Sequence, residues 1–314
     1  MYRHFRQPAR FLRDLNEADA IKIVAGTART FWYYSELERH PTFRWASSEK
    51  LHLPYIELAQ HYGLPTPLLD LSESMEVALF FATHRMVEGA FVACTEGKGI
   101  LYAIDRTTMP VEFAPRFRPV AMQPFLRPFR QWAWACELLM GESFEAYPAL
   151  GAIEFDHSEQ LAKEIRLMAE ASGALFPPDH LATIAAGINA SNTLPESSVD
   201  ATVKHLSRAY PQDKFGPVHE ALGRSGYSVA TAPPIISGPL ENALNDLHEA
   251  TIAAWSESIS RGYQQLVVRG GRRTGEPLTF GLMSTQGGIV QADHYGSLFD
   301  PVELERAEGD FRSL

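Results

Sequence analysis

From Glu57 to Ala82 the chain is dense in apolar residues and broken by two turn signals, Gly63-Leu64-Pro65 and Pro67. That interruption constrains the fold more than any other feature. A helix entering from Glu57 must end near Gly63, since glycine accepts the left-handed backbone that closes a helix and proline has no amide to continue one. Beyond the prolines, Ser72 or Ser74 can cap a second helix by accepting from an early amide, and Val77, Ala78, Phe80 and Phe81 give it an apolar face. The section reads helix, tight loop, helix.

Downstream, Ala90 to Ala93 and Ile100 to Ile104 are separated by Thr95-Glu96-Gly97-Lys98-Gly99, which predicts two antiparallel strands joined as a hairpin. Arg106 to Arg130 holds five arginines and five prolines and reads as an irregular surface loop of positive potential. Gly151 to Phe155 predicts a strand. Ser158 opens a helix carrying Leu161, Ile165 and Met168 at helical spacing, stopping at Gly173. The polar run Asn189 to Ser198 lacks apolar periodicity and predicts a domain boundary. Beyond it, Pro239 to Arg261 reads as an amphipathic helix, with strands at Gln264 to Val268, Leu278 to Met283 and Gly288 to Gln291.

At 314 residues the chain has room for one large or two ordinary domains, and 45% hydrophobic content excludes disorder as the dominant state. A formal charge of −10 argues against a general nucleic-acid binder, because an anionic surface repels phosphate backbones. Cys94 and Cys136 lie 42 residues apart, too few and too far for a disulfide scaffold or a thiolate zinc cluster. The histidines form no HExxH pattern, so no metal is expected. No apolar run approaches the roughly 20 residues of a spanning helix, so the expectation is a cytoplasmic protein without a membrane partner. Arginine outnumbers lysine 22 to 6, favouring planar, bidentate binding of carboxylate or phosphate.

The run Leu58-Ala59-Gln60-His61-Tyr62-Gly63-Leu64-Pro65-Thr66-Pro67-Leu68-Leu69-Asp70, followed by Ser72 and Val77-Ala78-Leu79-Phe80-Phe81-Ala82, resembles the FRG-domain family, named for a Phe-Arg-Gly tripeptide. Arg127 with Gln131 four residues on, and Leu175-Phe176-Pro177 opening into Leu181-Ala182, agree with it in order. Together these cover about residues 1–190. Pro67 stands where the family has Arg, Leu71 where it has Trp, and Ala133 where it has Gly. The tripeptide itself is missing; the nearest texts are Tyr2-Arg3-His4 and Phe5-Arg6-Gln7. More loosely, Asp70-Leu71-Ser72 running into Val77 to Ala82 is similar to the second element of Arg-Ser-Glu ADP-ribosyltransferases.

These resemblances imply an ADP-ribosyltransferase-like split β-sheet domain with flanking helices over residues 1–190, and the helix and strand patterns beyond it add a smaller C-terminal α+β region over 199–314, so the chain as a whole reads as α+β. They imply NAD or a related nucleotide as ligand or substrate, with ADP-ribosyl transfer to an acceptor such as a protein, or NAD cleavage, as the chemistry. An effector in bacterial or phage conflict is the implied setting. The alternative is a non-catalytic nucleotide- or protein-binding module on the same fold.

Cleaving the nicotinamide–ribose bond needs a grip on the diphosphate, a stacking ring and a carboxylate near the ribose. Arg3, Arg6 and Arg127 are the candidates for the grip. His61, Tyr62 and Thr66, beside Gly63, can hydrogen-bond a ribose or stack, although a His and a Tyr there also suit a core. Asp70 and Ser72 can bind ligand or cap a helix. Gln131 and Glu137 compete for the place of the catalytic acid; a Gln orients hydroxyls but cannot stabilise a developing cation, and Glu137, like Glu154, can equally face solvent.

Overall fold

The computed structural model describes residues 15–48, 53–87, 90–104, 113, 116–120, 123–138, 142–147, 150–171, 175–177, 179–213, 216–270, 281–283 and 289–291, with 254 and everything from 256 onward as backbone alone. Helix α1 (Glu17–Leu37) opens the described chain, its first turn capped by Asn16, whose side chain accepts from the Asp19 amide. Helix α2 (Pro41–Ser48) and helix α3 (Tyr55–His61) follow. The helix-closing signal is obeyed: α3 ends at His61 and Gly63 adopts φ 78°.

The expected tight loop is in part a strand, β1 (Leu68–Ser72), before helix α4 (Met75–Thr83). Ser74 is the residue that caps α4, accepting from the Val77 amide at 3.3 Å. Strands β2 (His84–Val87), β3 (Ala90–Ala93) and β4 (Lys98–Ile104) come next. The hairpin expected between β3 and β4 does not form. β3 pairs instead with β2, which follows α4 directly and offers a nearer partner, and β4 pairs with β7 (Leu150–Asp156). The arginine- and proline-rich segment is less irregular than expected, containing β5 (Phe117–Pro119) and helix α5 (Leu126–Arg130) ahead of β6 (Ala133–Glu137).

Helix α6 (Glu159–Ala171) runs to the last described residue before the stop expected at Gly173, which lies outside the described residues, and helix α7 (His180–Ala190) follows. The polar run read as a boundary forms the end of α7, strand β8 (Thr193–Pro195) and the start of helix α8 (Glu196–Ala209). Helix α9 (Val218–Arg224), strand β9 (Ser228–Ala230), helix α10 (Pro239–Gly270) and the antiparallel pair β10 (Gly281–Met283) and β11 (Ile289–Gln291) are the last elements among the described residues. The strand expected at Gln264 to Val268 is instead the last part of α10, since extending an existing helix is cheaper than ordering a strand without a neighbour. The protein is thus mixed α+β. Among the described residues no helix is long and apolar enough to cross a membrane.

Strands β1, β6 and β5 form an antiparallel sheet in that order. One face carries Leu69, Leu71, Phe117, Trp134 and Cys136 in an apolar cluster. The other carries Leu68, Val120, Ala133 and Ala135, packed against Ile56 of α3. Helix α1 joins two larger cores. Ile21, Val24 and Ala28 pack with Leu194, Val199 and Leu222. Tyr33 and Leu37 pack with Leu58, Ile184, Leu244 and Trp255. It therefore touches elements on both sides of the boundary expected at 190–199.

Helix α1 also presses on the Pro65 turn, where the Thr30 hydroxyl donates to the Pro65 carbonyl at 2.6 Å. A Cβ on Gly26 would lie 2.8 Å from Pro65 Cβ and Cγ, and the proline ring cannot swing aside. Gly26→Ala should therefore lower stability by about 1–3 kcal/mol through overpacking, despite the ~1 kcal/mol gain in helix propensity. Urea denaturation of the variant would show this; an unchanged or raised midpoint would mean the turn yields freely.

Candidate functional site

Side chains at directly opposed positions of an antiparallel pair share a face, so the register of the sheet fixes what α3 meets. Asp70 lies opposite Ala135, which lies opposite Arg118; Ser72 lies opposite Ala133, and Leu68 opposite Glu137. Helix α3 crosses this face and lays Glu57, Gln60 and His61 along it, positions that helical spacing places on one side. Two polar groups result, one at each end of β1.

At the Leu68 end, the Arg118 guanidinium donates to Glu137 at 2.7 Å and to Glu57 at 3.3 Å. Glu137 is thus held in an ion pair, about 13 Å along β6 from Ala133. Glu154 is exposed on β7, opposite Ile100 and 3.5 Å from Lys98. Neither acid joins the second group.

At the Ser72 end, His61 Nδ1 and Gln131 Oε1 lie 2.9 Å apart, while Gln131 Nε2 donates to the Leu175 carbonyl at 3.1 Å. The Leu175 carbonyl accepts only, which fixes the amide orientation and makes His61 Nδ1 the donor. Ser72 donates to the Gln131 carbonyl at 2.7 Å and accepts from the Ser74 amide at 3.0 Å. Thr66 donates to Gln60, whose amide reaches Asp70 at 3.4 Å. Arg127 Nη1 donates to the His61 carbonyl at 3.2 Å, and its guanidinium lies over the rings of Tyr62 (4.7 Å) and Phe176 (5.6 Å) rather than those of Phe125 or Phe129. The Tyr62 hydroxyl donates to Asp179, the cap of α7, which also accepts from the Leu181 amide at 2.8 Å.

Burial raises the Tyr62 phenol well above its ordinary range, and the neighbouring Asp179 carboxylate raises it further. Burial likewise raises the Asp179 carboxyl, against the lowering effect of its bonds to Tyr62 and the Leu181 amide. The structure therefore brings His61, Tyr62, Thr66, Asp70, Ser72, Arg127 and Gln131 together. It leaves Glu137 apart, and Arg3 and Arg6 lie outside the described residues.

Most of these groups are closed to solvent. The side chain of His61 is 3% exposed and Gln131 is 4% exposed, both with protein partners. Asp70, at 44%, is where the group opens. Facing it is His61 Nε2, a buried nitrogen with no hydrogen-bond partner, 3.9 Å from Asp70 Oδ1. At that distance the two atoms do not hydrogen-bond directly, so Nε2 faces the carboxylate without a partner of its own.

Two members of the group carry little signal in the sequence. Asp179 follows Pro177-Pro178, a plain helix-start pattern, yet joins α7 to Tyr62. Trp132 sits at φ 48°, a left-handed conformation uncommon for a bulky residue, held by the Glu73 amide donating to its carbonyl at 3.2 Å and its own amide donating to Phe129 at 3.0 Å. No local composition announces that turn.

These features define an α+β unit whose sheet, helices and caps meet at a buried polar junction with one acidic opening. Residues 5–89 match the family model of the FRG domain, which supports the FRG-domain resemblance for this part of the chain. The match contains His61, Tyr62, Thr66, Asp70 and Ser72, whereas Arg127, Gln131 and Asp179 come from outside it. No curated protein and no solved structure matches the chain.

Asp179→Ala removes both the α7 cap and the acceptor for Tyr62 and should cost about 2–4 kcal/mol. Asp179→Asn keeps one oxygen for the Leu181 amide and turns an N–H toward the Tyr62 oxygen, which can accept it, and should cost less, about 1–2 kcal/mol. Equal losses in chemical denaturation would mean that the charge, rather than the two hydrogen bonds, holds the junction.

Proposed function

We propose that this FRG-domain protein is a cytoplasmic nucleotide-binding module that takes the ribose of NAD or a related nucleotide at Asp70 and His61. One observation carries the reading: the exposed Asp70 carboxylate and the buried, unpartnered His61 Nε2 stand 3.9 Å apart, too far to bond each other directly. A ribose diol offers two adjacent hydroxyls, each able to donate or to accept, which can bridge the two groups without adding a charge beside Asp70, as phosphate would. The exposed Asp70 carboxylate marks the side from which a ligand would approach Nε2. Arg127, whose Nε is buried without a partner, is the nearby cation suited to the diphosphate.

Binding is favoured over ADP-ribosyl transfer because neither candidate for the place of the catalytic acid offers a free carboxylate: Gln131 is an amide held within the junction, and Glu137 is paired with Arg118. β1 leading through Ser72 into the capped α4 supports the likeness to the ADP-ribosyltransferase split sheet. On this reading no metal takes part.

Melting the protein with NAD, ADP-ribose or inorganic phosphate, while following nicotinamide release, tests the proposal. NAD and ADP-ribose should raise the melting temperature, by an amount equivalent to about 2.7 kcal/mol at one hundred times the dissociation constant, and phosphate should not. Asp70→Ala should abolish the shift and leave the unliganded melting temperature within a few degrees. Release of nicotinamide would restore the transferase reading, and a flat response to both nucleotides would remove the nucleotide altogether.

A further inference from the structure

A second polar junction lies where α2 and α10 meet. His40 precedes α2, is 4% exposed, and accepts the Thr42 amide proton on Nδ1 at 3.2 Å. Its carbonyl takes the amides of Phe43 and Arg44, each at 3.0 Å, so His40 caps α2 twice. The Thr42 hydroxyl in turn meets His248 Nδ1 of α10 at 3.2 Å. Trp45 of α2 packs edge-on against both His248 and Trp255 of α10, with ring centroids at 6.1 and 5.8 Å, and Arg44 reaches Glu241 of α10 at 3.5 Å.

An imidazole nitrogen can accept only while it is unprotonated. The described bond therefore keeps His40 neutral, and a proton on Nδ1 would set N–H against N–H. The titratable and charged groups bearing on His40 are His248 from α10, His180 from α7 and Arg44 from α2. All three are cationic when charged. The carboxylate at this junction, Glu241, is taken up by Arg44. Burial first, then these three groups, lower His40 to about 4.

We propose that the His40–Thr42–His248 junction is an acid-sensitive latch, which holds α10 on α2 at neutral pH and lets it go on mild acidification while the rest of the chain stays folded. Opening hydrates His40 and frees its ring to take the proton that the closed form refuses. Since the closed state has the lowered value, its advantage is complete above the ordinary pKa of 6.5 and shrinks as pH falls from there toward 4. Between pH 7 and pH 5, His40 alone shifts the closed-to-open ratio by about twentyfold.

Hydrogen exchange of the full chain at pH 7 and pH 5, corrected for intrinsic rates, reads this directly. Protection over 239–253 of α10 should fall about twentyfold on acidification, whereas protection over 196–209 of α8, which packs on the other end of α1, should hold. His40→Gln keeps an acceptor for the Thr42 amide and should flatten the response of α10. Should that variant fail to fold, His248→Gln retains a partner for Thr42, removes one cation and should shrink the response. Simultaneous loss in α8 and α10, no change in α10, or an undiminished response in the folded variants would each overturn the latch.

Discussion

Gln131 cannot give up its two partners without three parts of the fold coming apart. Its side chain ties His61 of α3 to the Leu175 carbonyl, and its own carbonyl is tied to Ser72 of β1. Each buried donor or acceptor left unmade there would cost about 1–3 kcal/mol, comparable with a substantial share of a domain's net stability. Those bonds also explain the strained turn that follows. With the carbonyl of residue 131 held by Ser72 and that of residue 132 by the Glu73 amide, the chain can enter β6 in register only by passing Trp132 through the left-handed region. A cost of about 1–3 kcal/mol is tolerable where the surrounding bonds over-determine the position.

How much of this was legible in the sequence follows from how local each determinant is. The end of α3 at Gly63, the capped start of α4 and the strand at 150–156 rest on neighbours within a turn, and composition announced them. So did the gathering of His61, Tyr62, Thr66, Asp70 and Ser72 on one short segment. What the sequence hid was pairing. The partners of β3 and β4 are chosen by which strands lie nearest in space, and a glycine-containing connection says nothing about that. Glu137 and Gln131 are six residues apart and looked like rivals for one position. The extended backbone of β6 carries Glu137 to the far end of the sheet, where Arg118, a residue without a distinguishing signal, captures it.

Helix α1 explains why the second half of the chain matters to the first. A 21-residue helix is about 30 Å long, enough to present separate stripes to separate cores. Its early residues bury against α8, α9 and β8, and its later ones against α3, α7 and α10. Glu36, near its end, accepts from the indole of Trp32 at 3.2 Å and from the Ile236 amide at 2.8 Å, a buried carboxylate serving the segment that leads into α10. The polar run 189–198 carries too little apolar text to suggest any of this, because the burial it takes part in is supplied by α1 from the other end of the sequence.

The same junction bears on chemistry. A transferase needs a carboxylate at the ribose, and the position the resemblance offers for it is occupied by Gln131. Glutamate there would keep an acceptor for His61 but lose the donor to the Leu175 carbonyl, setting a negative charge against an oxygen at a site only 4% exposed. Burying a charge without a partner costs more than losing a neutral hydrogen bond. An ionised acid is therefore at odds with the bond that ties residue 131 to the Leu175 carbonyl, and a chain that keeps that bond has an amide, not a carboxylate, behind Asp70. On the proposed reading, that amide goes with recognition of the ribose hydroxyls rather than with cleavage of the bond beside them.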